Sequence, residues 1–434
     1  MGSHHPKPVF LGIDFGTSGC RGCVIDAAQR VVAEAQCVLP PALQQHGRVE
    51  QESSNWIDGL TDLLRSLGQQ VELATIQRLA LNGTSGTVLL TDQRNQPLTP
   101  ARMYNDASGQ SQLDHIAAAC SCNSHITLSA GSTLARVVQL VEDHQPEPLY
   151  RVAHQADFLA AWLGGRHAVS DYHNSLKLGF DPQDLSWPGW IGQLLPVESL
   201  PQVLTPGTPI GRVGAEVAGA FGFDPALEVC AGTTDANAAF IASRLNRPGD
   251  AMTSLGSTLV VKLLSDTRVD LPARGVYSHR LGDLWLVGGA SNAGSAVLRD
   301  HFSDQQLAEL SARIDIDHPI GLDYYPLKGQ GERFPDPDPQ RQPCLEPRPE
   351  SDVEFLQAIL ESLSRIEQRA YSVLRDAGAP RLTRVETMGG GAANPAWTAL
   401  REKLLGVPVT PAQHTEAAFG SALLALRGLH AGVD

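Results

Sequence analysis

Short apolar runs, each closing on glycine and small polar residues, punctuate this chain. Residues 9–14 are almost wholly apolar and read as a buried strand. The turn Phe15-Gly16-Thr17-Ser18-Gly19 follows, and residues 20–25 and 31–38 return as two further strands of a meander. Residues 56–67 carry apolar side chains at Trp56, Ile57, Leu60, Leu63, Leu64 and Leu67, the spacing of a helix with one buried face. Strands at 76–81 and 87–90 flank Gly83-Thr84-Ser85-Gly86, and the second closes on the turn residues 92–97. Residues 103–200 read mostly as helix, most clearly at 134–141 and 153–163. The run 227–231 is then a strand leading into Gly232-Thr233-Thr234-Asp235, with a helix at 236–243.

From residue 249 the pattern starts again. A strand at 249–255, the turn Gly256-Ser257-Thr258 and a returning strand at 259–264 echo the first hairpin. A repeated unit of this kind suggests a duplicated fold. Prolines at 335, 337, 339, 343, 347 and 349 make residues 328–350 a long surface loop. A helix at 353–377, a strand at 384–388, the run Gly389-Gly390-Gly391-Ala392-Ala393-Asn394, a helix at 396–405, a strand at 407–409 and a helix at 416–429 complete the pattern.

Four of these turns share one design: an apolar strand delivers glycine together with Thr, Ser, Asp or Asn. They are the turns at Asp14–Gly19, Gly232–Asp235, Leu255–Thr258 and Gly389–Asn394. Glycine lets backbone N–H groups approach phosphate oxygens, and hydroxyls add donors. Carboxylates beside phosphates require a cation between them, most simply Mg²⁺. Each turn also has a plainer reading. Asp14 with Gly16 and Gly256-Ser257-Thr258 are compatible with ordinary tight turns, and Thr233, Thr234 or Asp235 with a helix cap. Three consecutive glycines are harder to explain that way, because their entropic cost is large.

Composition narrows the classes. The 434 residues, 42% hydrophobic and 18% charged, suit a globular protein of two or three domains. The net charge of −14 argues against nucleic acid and against an anionic membrane surface as partners. No apolar run is long enough to span a bilayer. Seven scattered cysteines with a single CxxC, Cys20 and Cys23, disfavour a zinc site or a disulfide framework. They point to a reducing, cytoplasmic setting with Cys20 and Cys23 in the core. The first residues, Met1-Gly2-Ser3-His4-His5, carry no signal-peptide pattern. Neither GxxxxGK[ST] nor an N-terminal GxGxxG is present, which disfavours P-loop and dinucleotide folds.

Taken in order, the four turns resemble the signature loops of the FGGY carbohydrate kinases, within the actin-like ATPase superfamily. Four further stretches are similar to the compact D-ribulose kinases of cyanobacterial and chloroplast type, also termed xylulose-kinase-like. These are residues 82–90, 170–179, 275–280 and 321–327. The resemblance implies an α/β fold of two duplicated ribonuclease-H-like domains with a central cleft. Residues 9–242 plus 417–434 would form the N-terminal, sugar and phosphate domain, and 243–416 the ATP-binding domain. It implies ATP and Mg²⁺ as cofactors and a ketopentose as substrate, D-ribulose being converted to D-ribulose 5-phosphate. D-Xylulose or another pentulose or polyol is the alternative.

The resemblance also assigns residues. Asp14, Thr17 and Ser18 would line the phosphate side, with Asp14 on the metal and with Asp14 and Ser18 also toward the substrate. Ser85 would contact the sugar, and Asp235 would be both a substrate contact and the catalytic base. Gly256, Ser257 and Thr258 would meet the ATP phosphates, and Gly390, Gly391 and Asn394 adenosine. The protein would act as a monomer or homodimer. Three departures stand out. Larger pentulose kinases carry Met-His where this chain has Thr84-Ser85, and Trp-x-Asp-x-Arg where it has Tyr104-Asn105-Asp106-Ala107-Ser108. A Lys-containing signature is here Ser132-Thr133-Leu134-Ala135-Arg136. Two readings of another class are an actin-like ATPase switch and an inactive sugar-binding protein. His173 is read as a buried, hydrogen-bonded residue, and Trp397 as core or, alternatively, as an adenine platform.

Overall fold

A computed structural model describes residues 7–45, 47–122, 124–147, 149–243 and 245–429. The chain divides into two compact units. One runs to Ala242 and is completed by the segment from His414, and the other is Ser243–Gln413.

The first unit is built on a six-stranded sheet. Its order is Pro209–Arg212, Glu228–Thr234, Ile76–Gly83, β1 (Val9–Phe15), β2 (Gly19–Asp26) and β3 (Val31–Val38). β1 pairs antiparallel with β2 and parallel with Ile76–Gly83, which in turn runs parallel to Glu228–Thr234. Every residue of β1 is buried, so the strand is apolar on both faces rather than alternating. β3, at the edge, leaves Val31, Val32 and Val38 exposed.

The second unit repeats the scheme. Its sheet order is Tyr277–Leu281, Leu284–Ser291, Leu259–Ser265, Asp250–Leu255, Arg384–Met388 and Val409–Pro411. The first three pairings are antiparallel and the last two parallel. In each unit, therefore, the strand ahead of a glycine-hydroxyl turn is the seam between an antiparallel meander and parallel strands. The helix Asp352–Asp376 covers the second sheet, with Phe355, Leu356, Ile359, Leu363, Ala370 and Leu374 in the core.

The C-terminal helix, Ala417–Arg427, lies against β1 and against the helix Asp235–Ala242. The approach is backbone to backbone. A Cβ on Gly12 would sit 2.0 Å from the Ala418 carbonyl oxygen, and one on Gly420 1.9 Å from that of Ala238. No side chain can be accommodated at either place. Asn82 ties the same junction, its Nδ2 donating to Ser421 Oγ at 2.9 Å and to the Ala417 carbonyl at 3.2 Å.

Several expectations need correction. The stretch 103–200 contains strands. Arg151–His154 pairs with Val88–Thr91 in a five-stranded sheet, and Val169–Asp171 pairs with Gln202–Leu204. Each is only three or four residues long and runs straight into a helix or turn, which hides its period of two. The expected strand at 407–409 lies at Val409–Pro411. The proline-rich segment is not simply a surface excursion. Phe334 is fully buried, and Glu332 accepts hydrogen bonds from Ser291 Oγ, the Asn292 N–H and the Tyr325 hydroxyl.

The cysteines also divide. Cys20 and Cys23 are buried, and burial pushes both thiols up to about 12. Cys120 and Cys122, expected to be unpaired, form a disulfide. The left-handed Ser121 at the end of a helix brings their Cα atoms to 5.2 Å. Among the described residues no helix is long and apolar enough to cross a membrane.

Gly420→Ala should lower the stability of the first unit by about 3 kcal/mol or more, since neither contacting backbone can retreat. Gly219→Ala is the control. Its Cβ meets nothing within 4 Å on a helix, and the change should gain up to about 1 kcal/mol. Urea unfolding followed by circular dichroism measures both. Equal stability of the two variants would contradict the packing described.

Candidate active site

Three parallel strands of the first unit end side by side, and each delivers chemistry at its C-terminal edge. Asp14 is the penultimate residue of β1 and pairs in register with Asn82, while Gly83 pairs with Thr234. The turn after β1, the hairpin at residues 83–87 and Asp235 therefore leave one edge of one sheet. This is the edge at which open α/β sheets place ligands.

Asp14 is nearly buried, and its carboxyl is pushed up to about 6. Burial is the main cause. The Asp235 carboxylate adds to it, Arg21 opposes, and Glu416 adds further. Arg21 is a weak counterweight, because its guanidinium lies 3.8 Å away and its side chain is 58% exposed. Two carboxylates are thus close enough to repel. The turn beside them is tight, with Gly16 N–H donating to the Gly19 carbonyl, and it leaves Thr17 half-buried and Ser18 exposed.

Asp235 opens the helix Asp235–Ala242 and is half-buried, its Oδ1 accepting from the Ala236 N–H at 2.6 Å. Thr233 and Thr234 belong to the preceding strand rather than to a loop. The Thr233 hydroxyl bonds His173 Nδ1 at 2.6 Å, and Thr234 Oγ1 accepts from Asn237 Nδ2 at 2.9 Å. Both hydroxyls thus brace the chain around Asp235. His173 is buried and hydrogen-bonded as expected, and Asp171 orients it by accepting its backbone N–H.

In the hairpin, Thr84 is buried and bonds Thr87 Oγ1 at 2.5 Å and Gln155 Oε1 through its N–H at 3.1 Å. Ser85 remains half-buried at the tip.

In the second unit the turn Gly256-Ser257-Thr258 and the glycine run at 389–391 adjoin one another. They follow the parallel strands Asp250–Leu255 and Arg384–Met388. Ser257 is exposed, and the Gly256 carbonyl accepts both the N–H and the hydroxyl of Ser295. The three glycines differ. Gly389 has φ 85°, and Gly391 would drive a Cβ to 2.5 Å from Trp397 and 2.7 Å from Leu255. Gly390 meets nothing within 4 Å, so only its backbone is open to an approaching ligand.

Asn394 caps the helix Pro395–Leu405, accepting from the Trp397 N–H at 3.1 Å, and donates to Ser311 Oγ at 2.8 Å. Trp397 is fully buried and donates to Ser364 Oγ, which makes it a core residue rather than an adenine platform. Beneath both turns lies a buried pair, Arg401 and Glu367, joined at 2.6 and 2.7 Å. Arg401 also reaches Thr387 on one strand and Glu367 reaches Thr253 on the other. The strands that end in the two turns are thereby locked together.

Comparison with known proteins decides the family. Residues 9–242 match the N-terminal domain of the FGGY family of carbohydrate kinases, and residues 251–429 match its C-terminal domain. The chain belongs to the FGGY family of carbohydrate kinases. It is 23% identical to a xylulose kinase of Staphylococcus epidermidis, over 98% of this chain and 88% of that one. It is 26% identical to a xylulose kinase of Streptomyces coelicolor, over 98% and 89%. In structure it resembles xylulose kinase from Rhodospirillum rubrum, with a TM-score of 0.84 and 21% identity over 98% and 91% of the two chains. Plasmodium falciparum glycerol kinase with ADP gives a TM-score of 0.83 at 15% identity over 96% and 89%.

Some residues of this FGGY kinase site escaped sequence reading. Gln155 braces the hairpin, yet it is a single polar residue without a flanking pattern. Gly294 lies so close to the Ser257–Thr258 turn that a Cβ would sit 2.3 Å from the Ser257 carbonyl. Glu416, whose charge reaches Asp14, comes from the far end of the chain. The glycine-rich stretch at 288–295 was the one available signal.

The glycine run generates a direct test. Gly391→Ala should destabilise by about 1–3 kcal/mol through overpacking, whereas Gly390→Ala should leave stability within about 0.5 kcal/mol. Differential scanning calorimetry separates the two. Equal losses would show that the run is governed by packing throughout.

Proposed function

We propose that this FGGY kinase is an ATP-dependent pentulose kinase in which Asp235 takes the proton of the sugar's terminal hydroxyl as the γ-phosphoryl group is transferred. The observation that carries this is the pair of carboxylates, Asp14 and Asp235, at adjoining ends of one sheet, close enough for the second to raise the pKa of the first. Phosphoryl transfer passes through a loose transition state, so the protein chiefly positions groups and balances charge. A carboxylate can orient the hydroxyl and accept its proton as the new bond forms.

The donor set suits a divalent cation. Two mutually repelling carboxylates favour added positive charge beside them. Mg²⁺ suits such a pair, because it takes few carboxylates and completes its shell with water and phosphate. Asp14 would hold it, and when bound it would offset phosphate charge. Thr17 and Ser18 would add hydroxyl donors toward the phosphates, with Asp14 and Ser18 also on the substrate side. The backbones of Gly256, Ser257 and Thr258 would meet the nucleotide phosphates. Gly390 and Gly391 would lie along adenosine, and Asn394 would act by fixing the helix that follows.

The sugar is read as a ketopentose touching Ser85 and Asp235. The relatives named xylulose kinase, matched over nearly the whole chain, support D-xylulose ahead of D-ribulose. D-Ribulose is kept as a second reading by the departures at Thr84-Ser85 and Tyr104–Ser108, which alter the hairpin and the loop beside it.

ADP release with Mg²⁺ and D-xylulose, D-ribulose, other pentuloses, polyols or no sugar tests the proposal. Turnover dependent on D-xylulose is expected. Turnover with D-ribulose alone moves the assignment to the second reading, and sugar-independent turnover points to an ATPase switch. Asp235→Asn should lower kcat by about 10²–10⁴-fold while calorimetric ATP binding is retained. Near-normal turnover of that variant would remove Asp235 from the role of base.

A further inference from the structure

Arg136 closes the stretch Ser132-Thr133-Leu134-Ala135-Arg136, and its side chain is fully buried. It stands in the first turn of the helix Thr133–His144, whose start is fixed by Ser132. The Ser132 hydroxyl accepts from the Ala135 N–H and donates to the Thr127 carbonyl. The segment at Gly109 packs against the same turn so closely that a Cβ there would lie 2.7 Å from Ala135.

The guanidinium binds backbone carbonyls from two separate loops. Nη1 donates to Gly86 at 2.8 Å, Nε to Asp106 at 2.9 Å, and Nη2 to Tyr104. Gly86 is the residue after Ser85. Its φ is 91°, and a Cβ on it would meet Nη1 at 2.7 Å, so the contact requires glycine. The Asp106 carboxylate is committed elsewhere, to the Val49 N–H and to Ser108. Burial lowers the Arg136 pKa to about 10, with Asp106 opposing, and the group stays cationic at neutral pH. Burying a guanidinium is costly unless its donors are satisfied, and its planar fork suits carbonyls arranged around it better than an ammonium would.

These contacts surround the candidate sugar-facing residues. Ser85 sits between Thr84, held by Gln155 and Thr87, and Gly86, held by Arg136. Tyr104 and Asn105 are exposed on the other loop, and the Tyr104 N–H donates to Thr87 Oγ1 at 3.1 Å. We infer that Arg136 is a positioning residue for sugar recognition, stapling the hairpin at residues 84–87 to the loop at 104–106 and fixing the spacing of Ser85 from Tyr104 and Asn105. This rests on the reading of Ser85 as a sugar contact.

Steady-state kinetics of the full chain test it. Arg136→Ala should raise the sugar KM by about tenfold or more while the ATP KM changes less than about twofold, since hydrogen bonds from a charged group are lost on the sugar side alone. Arg136→Lys, which keeps charge but loses the fork, should fall between. Millimolar methylguanidinium should restore the sugar KM of Arg136→Ala toward the wild-type value. Where Arg136→Ala does not fold, Gly86→Ala, which displaces Nη1, should show the same split. A folded Arg136→Ala or Gly86→Ala with a wild-type sugar KM, or with both KM values rising together, overturns the inference. Wild-type protein without sugar-dependent turnover overturns instead the kinase reading beneath it, and the inference with it.

Discussion

The C-terminal helix meets β1 and the Asp235 helix without a side chain between their backbones, and the candidate chemistry of the first unit depends on that contact. Gly12 is two residues before Asp14, and Ala238 is three after Asp235. The helix presses on both points, and Asn82 ties it to the strand between them. The separation of the two carboxylates is thus set by main-chain packing, which is stiffer than contact through rotatable side chains. The same helix is preceded by Glu416, whose charge reaches Asp14. One element therefore packs against both carboxylate-bearing segments and adds the smallest of the influences on Asp14.

The second unit reaches the same end by a different route. There the strands leading to the two turns are joined through Arg401, Glu367, Thr253 and Thr387, all buried. A buried ion pair adds little net stability over apolar packing, but losing one partner costs about 3–5 kcal/mol. Its value lies in geometry: charge-assisted bonds permit one arrangement of the strands. Arg136 follows the same logic around the hairpin, where the acceptors are carbonyls rather than carboxylates. Polar contacts beneath the loops, and glycines within them, make flexible sequences hold fixed shapes.

Much of this was legible beforehand, for physical reasons. Strands buried on both faces, such as β1, declare themselves as nearly continuous apolar runs, and the turns after them by glycine and hydroxyls. The repeat of strand, turn and strand indicated two similar units. What stayed hidden was short or distant. The strand Arg151–His154 is too brief to show its period. Gln155 and Gly294 act through contacts 71 and 37 residues away in sequence, on Thr84 and Ser257. The sequence does not separate the members of the glycine run, whereas in the structure Gly389 is explained by its dihedral angle and Gly391 by its packing against Trp397. Asn394 was read as a nucleotide contact, and its side chain caps a helix, because the residue types that bind ligands also terminate helices.

The seating of the last helix has a consequence for how the chain is made. Residues up to Ala242 emerge from the ribosome long before the segment from His414. Until that segment arrives, β1 and the Asp235 helix lack the element that covers them, and the whole of Ser243–Gln413 is made in between. The first unit therefore waits with an apolar seam uncovered while the second is synthesised. Exposed apolar surface of this kind is what makes unfinished chains prone to aggregate. A carboxylate pair that needs both ends of the chain cannot form on an unfinished polypeptide.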